Sequence, residues 1–371
     1  MSDKALEYGE GGYPFWWQQI FWYLPAFKSP WIPCADSGAG DLLVIARIGQ
    51  GATRPLGSDG AVRQLAVDRL SSAIAPGRLV IWDTHEKGAP SKTDLRNALG
   101  RLSSPRVFLL DLDAITDVWS ALPVRALGLS WTLRTVPIYV VVWDSLDPVH
   151  AWSSQILTRR NGYVVTLGRS AESVTRFGIS NSLGAGIDLT SPEVVRESQV
   201  LPWAERPWDI YLPPTSHSRR AENLVDLQAA ASLRGWNVAP HNAERYEEYL
   251  SLFAKARVSV VVNEVRERYT RRTPKKFGVR GGTTHLVARN LEVVAAGGLL
   301  VSQRDDTLRE HLAPGLEYLE WSTPSEATDL VAAALKNPIE SEAIAARARQ
   351  RLREIVIEQR TSKAIVGNFT P

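Results

Sequence analysis

The sequence predicts an α/β protein built from two doubly wound, Rossmann-like domains with parallel sheets that face a cleft. Three observations lead to this prediction. The chain has 371 residues, which is enough for two domains of ordinary size. Short, continuously apolar runs alternate with helix-like stretches, as is typical of parallel strands that are covered on both faces. The alternation stops once, at a proline-containing stretch over 192–207, and then resumes.

The N-terminal half contains the first alternation. Short apolar runs predict strands at Leu42–Ile48, Leu79–Asp83, Val107–Leu112, Ile138–Trp143 and Tyr163–Leu167. Periodic stretches between them predict helices at Ala61–Ile74 and Ser91–Leu102. Ahead of the first strand lies an aromatic-rich arm, residues 1–40, with four Trp among the first 31 residues. We expect this arm to pack on the domain or to contact a partner protein or a second copy of the chain.

The C-terminal half contains the second alternation. The predicted strands are Asp209–Leu212, Trp236–Ala239, Val258–Val262, Leu299–Ser302 and Glu317–Glu320. The predicted helices are Arg219–Leu233, Ala243–Lys255, His285–Ala296, Asp306–Leu312, Ser325–Leu335 and Ser341–Glu358. Since doubly wound domains bind ligands beyond the carboxyl ends of their strands, we expect the functional residues at those ends.

Composition and charge exclude several classes of protein. With 44% hydrophobic and 22% charged residues, the chain is neither disordered nor fibrous. The net charge of +3 does not by itself indicate a nucleic-acid partner, and the single cysteine, Cys34, excludes a disulfide framework and a cysteine-rich metal site. The N-terminus lacks the order of a signal peptide, and no apolar run approaches the ~20 residues of a membrane span. We therefore expect a cytoplasmic protein without a transmembrane segment.

The predicted helix over 285–296 has the most informative pattern in the chain. A threonine N-cap opens it, and a pair of glycines closes it. At 100° per residue, His285, Arg289 and Glu292 lie within about 60° of one another on one face. Because unpaired buried charge is costly, these side chains need partners. Either Arg289 and Glu292 pair with each other, or the stripe binds a ligand.

The residues around this helix resemble a known family. Arg289-Asn290-Leu291-Glu292, followed by Ala295-Ala296-Gly297-Gly298 and Leu299-Leu300-Val301, is similar to the C-terminal signature of GT-B glycosyltransferases, above all of the spore-maturation (CgeB-like) group. The helix, turn, short strand and helix that follow have the same order in that family. The resemblance covers about 205–355 and is weaker upstream, and it implies the GT-B type of the predicted fold class.

This resemblance also implies a nucleotide-sugar-dependent transferase that uses a UDP-, GDP- or dTDP-linked donor and needs no metal or other cofactor. Glu292 would accept hydrogen bonds from the ribose hydroxyls, and Arg289 would lie against the diphosphate. The full set of implied donor-binding residues is Ser218, Arg219, Arg220, Thr284, His285, Arg289, Asn290 and Glu292. Retaining GT-B enzymes often have a second Glu eight residues before the ribose Glu, where this chain has Thr284. The stereochemical outcome is therefore left open.

The alternation of strands and helices, together with the resemblance, divides the chain into four segments. Residues 1–40 are the arm, 41–204 form an acceptor-side Rossmann-like domain, and 205–345 form the nucleotide-sugar-binding domain. Residues 346–371 form a C-terminal helix and tail that packs back on the N-terminal domain.

The acceptor-side domain offers candidates for a general base. Asp83 and His85 follow the second predicted strand, and Asp144 follows the fourth, where cleft residues are expected. Aspartates at strand ends also cap helices, which is the alternative interpretation. The neighbouring Trp82 and Trp143 would stack on a sugar ring or lie buried under a helix.

Positive charge is concentrated between Arg266 and Arg280, where seven basic residues and one acidic residue give +6 and leave −3 for the rest of the chain. This basic segment is a solvated charge run, a phosphate clamp over the donor, or a patch for a polyanionic acceptor such as nucleic acid. The clamp residues would be Arg271, Arg272, Lys275 and Lys276. Two alternative functions follow: transfer of a sugar to a polyanion, and a non-catalytic binding module with a degenerate GT-B fold.

Overall fold

The structure is a computed structural model that describes residues 41–48, 57–73, 79–110, 112–116, 122–142, 148–158, 162–166, 182–183, 187, 191–195, 199–213, 218–240, 246–265, 283–284 and 288–358. The described residues fall into two units, one that ends at Leu189 and one that runs from Thr190 to Glu358. The sequence placed this boundary at residue 204. Residues 346–358 belong to the second unit, whereas the predicted arm and the end of the tail lie outside the described residues.

The N-terminal unit contains a six-stranded parallel sheet with the strand order β2-β1-β3-β4-β5-β6. Its strands are β1 (Asp41–Ala46), β2 (Leu79–Asp83), β3 (Pro105–Leu110), β4 (Ile138–Val142), β5 (Gly162–Thr166) and β6 (Ser182–Leu183). Its helices are α1 (Gly57–Ala73), α2 (Thr84–Lys87), α3 (Lys92–Leu99), α4 (Leu122–Thr132) and α5 (Pro148–Thr158). Helices α4 and α5 were not predicted.

The strands of this sheet are covered on both faces, as their continuous apolar runs predicted. Leu43 and Ile45 of β1 pack into one hydrophobic cluster, whereas Leu42 and Val44 pack into another on the opposite face. Alternating side chains of a strand point to opposite faces, so a strand that is apolar at every position needs a layer on each side.

The C-terminal unit contains a second parallel sheet with the order β12-β11-β8-β7 and a short antiparallel pair, β9 and β10. Its strands are β7 (Trp208–Tyr211), β8 (Ala256–Val261), β9 (Glu264–Val265), β10 (Thr283–Thr284), β11 (Leu299–Gln303) and β12 (Leu319–Trp321). Its helices are α6 (Ser218–Leu233), α7 (Tyr246–Lys255), α8 (Ala288–Ala296), α9 (Asp306–Arg309), α10 (Pro324–Lys336) and α11 (Pro338–Glu358). The predicted class, α/β with two Rossmann-like parallel-sheet domains, is confirmed.

The predicted strand at Trp236–Ala239 is reduced to a single bridge between Ile210 and Val238. The backbone there pairs with β7 only locally, because Asp209 and Ile210 donate to the carbonyl of Asn237 and Ala239 donates to the carbonyl of Ile210. The turn after α6 therefore lies at the edge of the sheet without extending it.

The proline-containing stretch before β7 is an integral part of the C-terminal unit and not a free linker. Trp203 packs in the core, with 7% of its surface exposed. The buried guanidinium of Arg206 donates to the carbonyls of Leu201, Ala256 and Gly297. Desolvation lowers the pKa of Arg206 to about 10. These bonds attach the stretch to the start of β8 and to the end of α8.

The remaining features concern helix ends and length. Gly297 closes α8 with a φ of 83°, a left-handed conformation that favours glycine, as the predicted glycine stop requires. None of the helices in the described ranges is both long and apolar enough to cross a membrane.

Candidate functional site

Helix α8 carries the predicted polar stripe beside the carboxyl ends of the C-terminal sheet. Strands β7, β8 and β11 are parallel, so their carboxyl ends share one edge of the sheet. From Asn290 to Ala296 every residue of α8 is buried. Glu292 is only 1% exposed, which is rare for a carboxylate and calls for specific partners.

One partner of Glu292 is a tyrosine hydroxyl from the preceding helix. The hydroxyl of Tyr246 donates to Oε1 of Glu292 at 2.8 Å. Tyr249, one turn further along α7, lies close enough to Glu292 for the carboxylate to raise the pKa of its phenol. We call Tyr211, Tyr246, Tyr249, Arg289 and Glu292 the carboxylate pocket.

The aromatic rings of the pocket are packed against one another. Tyr246, Tyr249 and Phe253 are spaced three and four residues apart, which places them on one face of α7. Tyr249 and Phe253 meet edge to face with their ring centroids 4.9 Å apart, and Tyr211 of β7 contacts Phe253 in the same way at 5.0 Å. The rings fix the hydroxyls that surround Glu292, because a packed aromatic side chain has few alternative rotamers.

Burial keeps these phenols protonated. Desolvation raises the pKa of Tyr211, Tyr246 and Tyr249, and the nearby negative charge of Glu292 raises all three further. The hydroxyls are therefore hydrogen-bond donors at neutral pH. The hydroxyl of Tyr211 is fully buried and has no hydrogen-bond partner among the described residues.

Arg289 lies in the first turn of α8 and is half-buried. Its positive charge is close enough to Tyr211 and Tyr249 to oppose the rise in their pKa. Within the described part of the chain, no ion pair joins Arg289 to Glu292. The alternative that these two residues simply neutralise each other is therefore not what the structure shows.

Asn290 faces the opposite side of α8 and belongs to a different cluster. Its amide nitrogen donates to Asn263 at 2.9 Å, and its amide oxygen accepts from the hydroxyl of Ser302 at 2.9 Å. Asn263 also donates to Ser302 at 2.8 Å, and the side chain of Gln303 accepts from its backbone N–H at 3.0 Å. We call these four residues the amide network. It joins α8 to the carboxyl ends of β8 and β11, so Asn290 contacts protein groups through both its amide atoms.

On the N-terminal unit, Asp83 is a helix cap. Its Oδ1 accepts from the backbone N–H of Ile48 at 3.0 Å and of His85 at 2.9 Å, and the side chain is 7% exposed. His85 lies exposed on α2. Trp82 donates to the carbonyl of Gly88 at 2.9 Å and lies under Lys87. This geometry matches the capping alternative for Asp83.

Comparisons with known proteins show which family and which solved structures the chain is similar to. Residues 218–365, which include Arg289 and Glu292, match the sequence profile of a family described as glycosyl transferase-like. HepE from Anabaena, solved in complex with UDP-glucose, is similar in structure with a TM-score of 0.55 and 9% identity, covering 89% of this chain and 98% of that chain. The chain has the GT-B fold, and its C-terminal part is similar to a glycosyltransferase family.

Two further structures share this fold. Sucrose-phosphate synthase from Thermosynechococcus elongatus matches with a TM-score of 0.52 and 13% identity, covering 88% of this chain and 96% of that chain. The T4 phage β-glucosyltransferase matches with a TM-score of 0.50 and 9% identity, covering 88% and 99%. No curated protein sequence matches the chain significantly.

Several predicted site residues lie wholly or partly outside the described structure. Ser218, Arg219 and Arg220 form the first turn of α6, and Thr284 lies in β10, but only their backbone is described. The residues that lie outside altogether are Asp144, Trp143, His285, Arg271, Arg272, Lys275 and Lys276. Across the described ranges, no group of three or more His, Cys, Asp or Glu side chains is placed to bind a metal ion.

The sequence did not identify the tyrosines of the pocket. Tyr246 is 46 residues from Glu292 in the chain, so no local spacing connects them. The available signal was the aromatic stripe Tyr246, Tyr249 and Phe253, which marks a buried face of α7 but not what that face contacts.

Proposed function

We propose that this protein is a glycosyltransferase that binds a UDP-sugar at the carboxylate pocket and transfers the sugar to an acceptor without the help of a metal ion. One observation carries the proposal: a buried carboxylate, Glu292, lies three residues beyond an arginine in the first turn of a helix at the carboxyl edge of a parallel sheet. The resemblance to the CgeB-like group points to the same two residues.

Glu292 suits the ribose of the donor. An ionised carboxylate only accepts hydrogen bonds, and its two oxygens offer about four acceptor positions. The two adjacent hydroxyls of a ribose are donors with a spacing that suits one carboxylate. Charge-assisted hydrogen bonds of this kind are stronger than neutral ones, and a dry environment strengthens them further.

Arg289 and the start of α8 suit the diphosphate. A helix N-terminus presents unpaired N–H groups and a partial positive charge to an anion. As the bond between the sugar and the diphosphate breaks, negative charge accumulates on the leaving oxygen. A fixed guanidinium beside that oxygen stabilises the charge, which is the role a metal ion plays in other transferases.

The structural neighbours support a uridine nucleotide. HepE was solved with UDP-glucose, and also with UDP. A DNA modifying β-glucosyltransferase with the same fold has uridine diphosphoglucose as its substrate. A T4 phage enzyme was solved with UDP and Mn²⁺. Every activity assay should therefore be run both with and without added Mn²⁺.

The ribose role of Glu292 is tested with Glu292→Gln and isothermal titration of UDP. We expect an affinity loss of about 100-fold, since the amide loses the charge on two hydrogen bonds worth about 1.5–3 kcal/mol each. Glu320→Gln is the matched control, because Glu320 also accepts a tyrosine hydroxyl, from Tyr318 at 2.9 Å. Equal UDP affinity in Glu292→Gln and wild type would refute the assignment.

The diphosphate role of Arg289 is tested with Arg289→Ala and a steady-state assay of UDP-sugar turnover with and without a chelator. We expect kcat/KM to fall about 30-fold or more and the chelator to have no effect. Arg234→Ala removes an arginine of the same unit that pairs with Asp329 at 3.1 Å and should leave the kinetics unchanged. Strict Mn²⁺ dependence would contradict the metal-free part of the proposal.

A polyanionic acceptor is the second candidate, and the charge of the basic segment over 266–280 favours it. The DNA modifying neighbour shows that one enzyme of this fold acts on such a polymer. The test is transfer to duplex DNA and to neutral glycans as a function of salt. Turnover that falls steeply with salt on DNA alone supports this acceptor, whereas salt-independent transfer to a glycan excludes it.

A further inference from the structure

Tyr246 contacts the carboxylate that the proposed function assigns to the donor ribose. Its hydroxyl donates to Oε1 of Glu292 at 2.8 Å, and Tyr249 lies next to it along the same face of α7. Both tyrosines come from α7, whereas Glu292 is on α8. The orientation of the carboxylate therefore depends on contacts between two helices.

The direction of this hydrogen bond is fixed. Burial and the adjacent carboxylate raise the pKa of the Tyr246 phenol, so it stays protonated and donates. A donor stabilises the ionised form of Glu292, which is the form that accepts from ribose hydroxyls. Without such a donor a carboxylate that is 1% exposed would favour protonation and lose acceptor capacity.

The rings themselves are held in place. Tyr246 and Tyr249 stack with their centroids 6.1 Å apart, and Tyr249 packs edge to face on Phe253 at 4.9 Å. Phe253 is fully buried. A rigid aromatic stack fixes the hydroxyl positions more tightly than a free side chain would, and catalytic and binding groups depend on such support from the residues behind them.

We infer that Tyr246 is a positioning residue for donor binding: its hydroxyl, held in place by the stack of its ring on Tyr249, keeps the Glu292 carboxylate ionised and oriented toward the ribose hydroxyls of the nucleotide. This inference rests on the proposed function. It goes further by assigning ribose recognition to a unit of three side chains, two of which never need to touch the donor.

The inference is tested with Tyr246→Phe, which keeps the ring, Tyr246→Leu, which does not, and two ligands, UDP and 2′,3′-dideoxy-UDP. The second ligand lacks the hydroxyls that Glu292 would bind. Wild type should bind UDP about 100-fold more tightly than the dideoxy analogue. Each variant should weaken UDP binding about tenfold and change binding of the analogue by less than twofold.

Tyr318→Phe is the matched control, because the Tyr318 hydroxyl donates to Glu320 at 2.9 Å outside the pocket. It should lower Tm about as much as Tyr246→Phe and leave the affinity for both ligands unchanged. In kinetics, the two Tyr246 variants should raise the donor KM and change kcat less than twofold.

The outcomes separate the two proposals. Equal weakening of UDP and its analogue in the two Tyr246 variants would overturn the inference, because Tyr246 would then act only on structure. Unchanged UDP affinity in both variants would also overturn it. If wild type binds UDP and the analogue equally well, the ribose role of Glu292 is wrong and the proposed function fails before any tyrosine variant is measured.

Discussion

Asn290 and Glu292 lie two residues apart on α8, yet they belong to two different kinds of buried polar cluster. Asn290 is in the amide network, where neutral groups satisfy one another. Glu292 is in the carboxylate pocket, where a charge accepts from one phenol and lies near a tyrosine hydroxyl without a partner in the described residues. Side chains two residues apart in a helix point in directions that differ by about 200°, so Asn290 and Glu292 face opposite sides of α8.

This difference indicates that α8 carries a cluster that stabilises the fold and a cluster that suits a ligand. A neutral network whose donors and acceptors match needs nothing more from outside and fixes the elements that it joins. A buried carboxylate is costly for stability, and perturbed ionisable groups of this kind cluster at sites that bind ligands. The amide network holds α8 in place, and the carboxylate pocket uses that position.

The largest predicted loss of stability comes from a substitution that disrupts the amide network. Asn290→Ala should lower the free energy of unfolding by about 2–5 kcal/mol, because it leaves Asn263 and Ser302 with buried unsatisfied groups. Urea unfolding measures this loss. In the folded protein, UDP affinity should change less than threefold. A variant that keeps its stability and loses UDP binding would make Asn290 a donor ligand and remove the contrast with Glu292.

A smaller effect concerns a third buried polar group, His311. Its Nε2 has no hydrogen-bond partner in the described structure, and desolvation, followed by the charge of Arg351, lowers its pKa to about 4. The unfolded chain takes up a proton near pH 6.5, so the unfolded state binds more protons than the native state between pH 6.5 and 4. Stability from this residue is present above pH 6.5 and is lost as the pH falls through that window.

We expect the free energy of unfolding to fall by about 1–3 kcal/mol across this window in wild type and by less in His311→Gln. Urea titrations at pH 7, 5.5 and 4.5 measure the difference between the two proteins. The same pH dependence in both proteins would show that His311 does not titrate differently on folding. The expected difference would show that a buried polar group without a hydrogen-bond partner can affect stability alone, with no link to function.

The smallest predicted loss of stability concerns Asp83 in the N-terminal unit. Asp83 accepts from two backbone N–H groups, so Asp83→Ala should cost about 1–2 kcal/mol, whereas Asp83→Asn, which caps nearly as well, should cost less. Urea unfolding and kcat with a UDP-sugar check both variants. If Asp83→Asn keeps its stability and loses kcat by about 100-fold, Asp83 is the general base and not only a cap.

The parallel sheets were predictable because burial on both faces leaves a direct trace in the sequence. Strands β1, β3 and β8 are apolar at nearly every position, a pattern that few other elements show. Helix α4 was not predicted because apolar residues also occupy its exposed face. Val124, Leu127 and Trp131 are exposed while Leu122 and Ala126 are buried, so the helix has no polar face to reveal its period.

The candidate site was predictable only in part. The stripe of Arg289 and Glu292 follows from helical spacing, but the same logic grouped Asn290 with them, although its amide contacts Asn263 and Ser302 on the other side. Tyr246 was out of reach, because the packing of α7 on α8 decides its partner. Tertiary contacts of this kind leave no local pattern.

The most direct test of the account is a crystal structure of the full chain with UDP bound. The account predicts both ribose hydroxyls within about 3.2 Å of the Glu292 carboxylate, the Tyr246 hydroxyl still bonded to it, and the diphosphate at the start of α8 beside Arg289. UDP bound elsewhere, or bound here with Glu292 contacting only tyrosines, would contradict it.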